Sequence, residues 1–292
     1  MLSIIIPTLN EEKYLPLLLE EIKKQKFAEG EEDKSSSSPT RVATKGGEEE
    51  IFFEFAPQQR GSVYEIIIAD AGSVDKTLDI AKSYGCKIVP GGLPAKGRNE
   101  GAKVAKGELL LFLDADLTLP PDFLEKSLKE FGNRKLDVAS YCLEPQTNKK
   151  IIKTGFALLY NRPITLSQRI LAYGAMGILV KKEIFKKIKG FDENIKLAED
   201  HYFVRQASKI GKFGIIKSTR IRIHLRRFEA DGYLKTCLKY LLCQLYMFSG
   251  KGVRSDIFKY RFNRYSKTES HDSGTKVKKR RIPLRLKKKN NI

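Results

Sequence analysis

The sequence lacks three features that would each direct its reading elsewhere. It has no apolar run long enough to span a bilayer: the longest, residues 233–249, is interrupted by Lys235, Lys239 and Gln244. It has no basic leader before the apolar residues 2–6, and Pro7 ends that run, so the N-terminus reads as a strand and not as a signal peptide. Its four cysteines, Cys86, Cys142, Cys237 and Cys243, show neither the paired spacing of a metal site nor a disulfide framework. Free cysteines fit a reducing compartment, so the expectation is a cytoplasmic protein, peripheral at most on the inner face of a membrane.

Negative charge is scarce at one end only. Residues 219–292 hold 21 Lys/Arg against 5 Asp/Glu, while the rest of the chain holds 34 against 30. The first three-quarters is thus an ordinary globular composition, followed by a polycation that suits nucleic acid, anionic lipid or phosphorylated substrates. Residues 233–248 carry Leu234, Leu238, Leu241, Leu245 and Phe248 at helical spacing, the pattern of a helix lying in a membrane interface. The domain reading is residues 1–227 as a catalytic domain, 228–265 as an amphipathic helical extension and 266–292 as a disordered basic tail.

What organises the chain is residues 107–121. An apolar run, residues 109–113, reads as a strand buried on both faces. It leads into Asp114 and Asp116, two carboxylates spaced i, i+2 that extended backbone would point to one face. Adjacent carboxylates repel, and a divalent cation bound by hard oxygens, with phosphate completing its shell, is the usual remedy. The other reading is a solvated strand end.

Around that strand the pattern alternates. Strands are expected over residues 2–7, 64–69, 86–89, 138–142 and 175–180, and helices over 77–84, 95–105, 122–131, 182–188 and 199–210. Two short strands are expected over 213–216 and 221–223. Such alternation predicts an α/β fold with a mostly parallel sheet and helices on both faces. Asn10 is a plausible helix N-cap, with Glu11 and Glu12 in the first turn. Residues 27–63 break the pattern with Glu-, Ser- and Gly-rich sequence around an apolar island, a mobile insertion.

Right-handed crossovers would bring the loops bearing Asn10, Asp70, Arg98, Asp114 and Asp116 to one sheet edge. Asp70 at a strand end can accept from a base or ribose hydroxyl, whereas Asp75 reads as a cap. Arg98 and Asn99, placed in the first turn of their helix, suit a phosphate or a uracil-like edge. Glu199 and Asp200 open a helix, where Asp200 is either a cap or a proton acceptor.

Taken in order, residues 4–12 (IIIPTLNEE), 65–77 (EIIIADAGSVDKT), 96–102 (KGRNEGA), 111–116 (LFLDAD), 190–193 (GFDE) and Glu199-Asp200 resemble a family 2 glycosyltransferase of the GT-A fold. The resemblance covers residues 1–227 apart from the insertion. It implies that Pro7, Asn10, Glu12, Asp70, Arg98 and Asp114 line a nucleotide pocket. It implies that Asp114 and Asp116 hold Mg²⁺ or Mn²⁺ on a donor diphosphate, and that Asp200 is the general base of an inverting transfer. His224 stands either in the metal shell or simply packed; Arg226, Arg227 and Glu199 would face the diphosphate or the acceptor. Two departures stand out: Ala71 where many members carry a second Asp, and the length of the insertion.

The implied partners are a nucleotide-sugar donor, a glycan or lipid-linked acceptor, and an anionic membrane surface. A nucleotidyltransferase would share the sheet and the carboxylates. A nucleic-acid-binding protein would account for the tail but leave the carboxylate loops unexplained, because the core shows no basic and aromatic binding face.

Overall fold

The central strand is β4 (Leu109–Leu113), all five residues of which are buried. It has an apolar residue at every position because helices cover it from both sides. Leu109, Leu111 and Leu113 join one core cluster with Ile4, Ile6, Leu15, Leu18 and Phe123. Leu110 and Phe112 join the other with Ile5, Ile67, Phe191 and Phe203. The structure, a computed structural model, describes residues 1–25, 64–174, 176–195, 197–232 and 235–236, apart from the Arg227 side chain. The insertion 27–63, the amphipathic stretch 237–248, the tail 266–292, Cys237 and Cys243 therefore lie outside the described residues.

The N-terminal half alternates as its periodicity predicts: β1 (Leu2–Thr8), α1 (Leu15–Lys23), β2 (Tyr64–Asp70), α2 (Thr77–Ser83), β3 (Lys87–Pro90), α3 (Pro94–Val104), then β4. A short β5 (Leu117–Thr118), α4 (Phe123–Asn133) and β6 (Val138–Pro145) follow. Next come α5 (Lys150–Phe156), a π-helical turn (Ala157–Asn161) and α6 (Arg162–Ser167). The last elements are β7 (Gly177–Lys181), α7 (Lys182–Lys187), α8 (Glu199–Ala207), β8 (Phe213–Ile223) and α9 (Arg226–Asp231). The eight strands form one sheet in the order β3-β2-β1-β4-β7-β6-β8-β5. The pairs β3/β2, β2/β1, β1/β4 and β6/β8 are parallel, and β4/β7, β7/β6 and β8/β5 antiparallel. Among the described residues, no helix is long and apolar enough to cross a membrane.

Three local expectations are corrected. Asn10 does not cap α1: the helix begins at Leu15, and Asn10 takes φ 55° in the preceding loop, so Glu11 and Glu12 are loop residues too. The two short strands expected over 213–216 and 221–223 are one strand, with residues 217–219 bulging between the pairs Tyr141↔Ile216 and Cys142↔Arg220. A bulge keeps one strand continuous while interrupting the alternation that sequence reading depends on. Finally, β4 ends at Leu113, and Ala115 and Asp116 form a turn with Ala115 buried, so Asp114 and Asp116 are not adjacent teeth of an extended strand.

The position of α3 decides where the site forms. Its Gly97 and Gly101, four residues apart, face β1. A Cβ at Gly101 would lie 2.4 Å from Ile5 Cγ2, and one at Gly97 3.0 Å from Pro7 Cβ. Only hydrogen at these two positions lets the helix lie this close to the sheet. Gly101→Ala is therefore expected to cost about 1–3 kcal/mol of stability, as overpacking does in a well-filled core. Gly155→Ala, where nothing lies within 4 Å, is expected to be neutral or to stabilise by up to about 1 kcal/mol. Denaturant titration of both variants checks the contrast, and equal losses would contradict the close helix–sheet approach.

Candidate active site

Because β1, β2 and β4 run parallel, their carboxyl ends lie at one edge of the sheet, with Thr8 opposite Asp70 in register. The loops after β1 and β2 are laced together there. The backbone N–H groups of Asn10, Glu11 and Glu12 donate to Ser73 Oγ (2.8 Å), Thr77 Oγ1 (2.8 Å) and Asp75 Oδ2 (3.2 Å). In return, Asn10 Oδ1 accepts from Val74 N–H (2.9 Å) and Glu12 Oε2 from Lys76 N–H (3.1 Å). The Asp70 carboxylate accepts from Thr8 Oγ1 (3.0 Å), Gly72 N–H (2.9 Å), Ser73 N–H (2.8 Å) and Ser73 Oγ (2.5 Å). Gly72 takes φ 91°, a conformation that favours glycine. Asp70 thus has a loop-building role that sequence reading assigned to Asp75 alone; Asp75 plays its own part by accepting from Thr77 N–H (3.0 Å).

Beside these loops, α3 carries Arg98 into the interior. Arg98 is the fifth residue of a helix that begins at Pro94, so it stands in the second turn and not at an exposed terminus. Proline at the start of the helix sets this boundary earlier than expected. The Arg98 side chain is only 5% exposed and donates to Asp114 Oδ1 at 2.7 Å and to Glu199 Oε1 at 2.5 Å. Its guanidinium lies 5.4 Å from the Phe191 ring, which stacks on Phe203 at 4.1 Å. Asn99 is not a ligand-facing group. Its Nδ2 donates to Phe191 O and Glu193 Oε1, both at 2.9 Å, and its Oδ1 accepts from Phe191 N–H at 2.8 Å, tying the loop 190–193 to α3.

Glu199 and Asp200 open α8, but neither side chain is its N-cap; that position is Ala198, in left-handed backbone. Asp200 Oδ1 accepts from the adjacent His201 N–H at 2.7 Å. Gly174 lies against this turn so closely that a Cβ would come 2.4 Å from the Asp200 carbonyl carbon.

A second arginine serves the other carboxylate. Arg226, at the start of α9, donates to Asp116 Oδ2 at 2.6 Å and lies 3.9 Å from Glu11 Oε1. Its guanidinium sits 4.6 Å from the Tyr14 ring, which also meets the His224 ring at 4.9 Å between centroids. Glu11 is the residue that sequence reading missed. It was taken as a helix-start residue, and only the turn after β1 brings it beside Asp116. Tyr14 bridges Arg226 and His224. The side chain of Arg227 lies outside the described residues.

Charge is out of balance here. Burial, with Asp116, Asp114 and Asp75 adding repulsion that Arg226 only partly offsets, raises Glu11 to about 7. Burial raises Asp114 to about 7 as well, against the attraction of Arg98. Burial also raises Glu199 despite its bond to Arg98. Burial penalises the Arg98 cation, but Asp114, Glu199 and Asp200 more than compensate and keep it protonated. Two arginines thus face five carboxylates, a deficit that a divalent cation would fill.

The residues present fit one. Asp114 and Asp116 offer hard oxygens, and His224 Nε2 is buried with no hydrogen-bond partner. Burial, only partly opposed by Asp116, lowers the pKa of His224 and leaves a neutral imidazole able to ligate. No cluster of three or more metal-type side chains is already assembled among the described residues. The donors therefore come from separate clamps, as suits a cation that arrives with substrate phosphate.

The family model described as glycosyl transferase family 2 matches residues 52–175. Over those residues the chain is similar to glycosyltransferase family 2. It is 27% identical over 221 residues to the poly(ribitol-phosphate) beta-N-acetylglucosaminyltransferase TarS of Staphylococcus aureus, covering 70% of this chain and 32% of TarS. It is 30% identical over 162 residues to the chondroitin synthase of Pasteurella multocida, covering 51% of this chain and 16% of that protein. The crystal structure of TarS 1-349 superposes with a TM-score of 0.53 at 22% identity, covering 78% of this chain and 61% of that one. The chain thus spans about a third of the length of the TarS relative it matches. These superpositions identify the fold as GT-A.

The raised carboxylates set a pH dependence. A group whose pKa is higher in the folded than in the unfolded chain contributes stability below its unfolded pKa and loses it as pH rises through the folded value. The melting temperature of the ligand-free protein should therefore acquire a downward contribution from Glu11 as pH rises from 4.5 through about 7. Glu11→Gln is expected to flatten that decline in differential scanning fluorimetry. An unchanged slope would contradict the buried, repelled state of Glu11.

Proposed function

We propose that this protein transfers a sugar from a nucleotide-diphosphate donor to an acceptor hydroxyl or lipid phosphate, with Mg²⁺ or Mn²⁺ and with inversion at the anomeric carbon. The observation that carries this reading is the double hydrogen bond of Arg98, which joins Asp114 at the sheet edge to Glu199, the neighbour of Asp200. One buried side chain thereby fixes donor-side and acceptor-side carboxylates across a single cleft. The relatives agree in chemistry. TarS is named as an N-acetylglucosaminyltransferase and has been crystallised with UDP-GlcNAc. A mannosyltransferase from Pyrobaculum calidifontis, with a TM-score of 0.53 at 17% identity, has been crystallised with GDP-Man and Mn²⁺.

In this reading Pro7, Asn10, Glu12 and Asp70 form the nucleoside side of the cleft, with Asp70 holding the loop in shape. Asp114 and Asp116 hold the cation, with His224 Nε2 available as a further donor. Bound there, the cation would neutralise negative charge on the leaving diphosphate as a Lewis acid. Arg226 and Arg227 face the diphosphate, where a planar guanidinium can bind two phosphate oxygens. Asp200 accepts the proton of the acceptor hydroxyl as its oxygen bonds to the anomeric carbon. The bond to the diphosphate oxygen breaks on the opposite face, and the configuration inverts. Glu199 keeps Arg98 in place and the acceptor side dry.

Turnover with a panel of nucleotide sugars, read as released nucleoside diphosphate, tests the reaction. Asp200→Asn is expected to lower kcat about 10²–10⁴-fold while leaving the donor Kd nearly unchanged, because a general base acts in the transition state. An equal loss of donor affinity would make Asp200 a structural residue. Chelation is expected to abolish transfer, and Asp116→Asn to weaken Mn²⁺-dependent binding of UDP in calorimetry. Full activity in chelator would refute the cation assignment.

A further inference from the structure

The helical segment between β6 and β7 presents the wrong surface to water. One side of it is anchored in the fold: Ile164 and Asn161 are buried, and Phe156 and Tyr160 pack on the core. Asn161 also exchanges hydrogen bonds with the Leu143 backbone at 2.9 and 2.8 Å. The outward side should then be polar, as on an ordinary surface helix. Instead Ile151 is 81% exposed, Leu159 83%, Leu166 75% and Ile170 87%, with Leu158 half exposed. Ile151, Leu159 and Leu166, eight and seven residues apart, lie on the outward side of the α5–π–α6 segment, and Ile170 follows three residues after α6 ends. Several large aliphatic side chains exposed together mark an interaction surface.

The charge of this segment selects the partner. Lys149, Lys150, Arg162 and Arg169 flank the apolar residues, and no Asp or Glu occurs anywhere between Glu144 and Glu183. None of these four cations forms an ion pair with a described residue. Lys153 does, with Glu144 at 3.4 Å. A second copy of the same face would set cation against cation across a two-fold interface. An anionic bilayer surface satisfies both halves of the pattern: aliphatic side chains enter the acyl boundary, and Lys and Arg meet lipid phosphates.

We infer that the α5–π–α6 face is a membrane-docking surface of the catalytic domain, taking the interface of a bilayer that contains anionic phospholipid. It is independent of the basic C-terminal stretch and of the reaction assigned above. The segment is joined to the site at both ends. Phe156 of α5 meets Phe228 of α9 at 5.7 Å, two residues from Arg226. Downstream of α6, Tyr173 meets His201 at 6.4 Å, and Gly174 lies on the Asp200 backbone. Docking through this face would bring the acceptor side of the cleft close to the lipid surface.

The full chain contains no tryptophan, so Leu159→Trp and, separately, Ile170→Trp each give a single reporter on this face. Vesicles of phosphatidylglycerol and phosphatidylcholine are added at low and at high salt, with brominated lipid as quencher. The expected result is a blue shift and bromolipid quenching with anionic vesicles, much weaker with phosphatidylcholine alone. The triple variant Ile151→Glu, Leu159→Glu, Ile170→Glu, checked by circular dichroism, is expected to lose about tenfold or more in vesicle partitioning. If the protein floats with vesicles while both reporters stay in water, the C-terminal stretch alone binds lipid and the inference fails. A blue shift without vesicles that grows with protein concentration would assign the face to a second copy. One that is present without vesicles at all concentrations would assign it to this chain's own C-terminal stretch. Nucleotide-sugar turnover in the triple variant is measured separately: loss of docking with turnover retained supports the inference whether or not the donor is the one expected.

Discussion

The structure depends on one buried cation. Arg98 reaches the interior only because Gly97 and Gly101 let α3 lie against β1, and once there it must be paired. Its two partners come from the loop after β4 and the start of α8, elements far apart in the chain. Removing one member of such a buried cluster costs about 3–5 kcal/mol, because the remaining charge keeps its desolvation penalty without compensation. The pairing therefore locks the relative positions of the sheet edge and α8. In the proposed reaction these are the parts that would face one another, one to hold a donor and the other to deprotonate an acceptor.

The remaining negative charge follows from that choice. With Arg98 shared between Asp114 and Glu199, and Arg226 between Asp116 and Glu11, no carboxylate in the cleft is fully neutralised. Raised Asp114 and Glu11 express this imbalance. Glu11 apart, the β1 and β2 loops show the opposite arrangement: Glu12, Asp70 and Asp75 all accept from backbone N–H groups of these two loops. The cleft thus joins a rigid wall made of satisfied hydrogen bonds to an electrostatically frustrated one. A site that binds a cation together with a polyanionic diphosphate, as proposed above, would use this contrast: preorganised shape would select the nucleoside and unsatisfied charge would draw the metal.

The aromatic cluster behind the site gives the second wall its stiffness. Phe112 from β4, Phe191 from the loop 190–193 and Phe203 from α8 meet at 4.1–6.3 Å between ring centroids, and Asn99 fixes that loop to α3. Toward the other side of the cleft, the α5–π–α6 segment has no comparable cover on its outer face among the described residues. The same molecule therefore carries a packed aromatic wall behind the cleft and, adjoining it, an aliphatic and cationic surface facing outward.

The sequence alone determined the alternating α/β plan and the buried strand β4, and it pointed to Asp114, Asp116, Arg98, Glu199 and Asp200 as candidates for one site. Period-two and period-3.6 patterns and short ordered motifs are local signals, and each survives without knowledge of its neighbours. Tertiary structure alone decided which charge meets which. Glu11 read as a helix start because its partner Arg226 is more than two hundred residues away, and Asn99 read as a ligand because the loop it holds lies beyond β7. Asp70 read as free to bind because the donors that occupy it include Thr8 on the adjacent strand. Whether the aliphatic residues of α5 and α6 face the core or the solvent was likewise beyond periodicity, since a π-helical turn shifts the helix phase and only packing fixes the buried side.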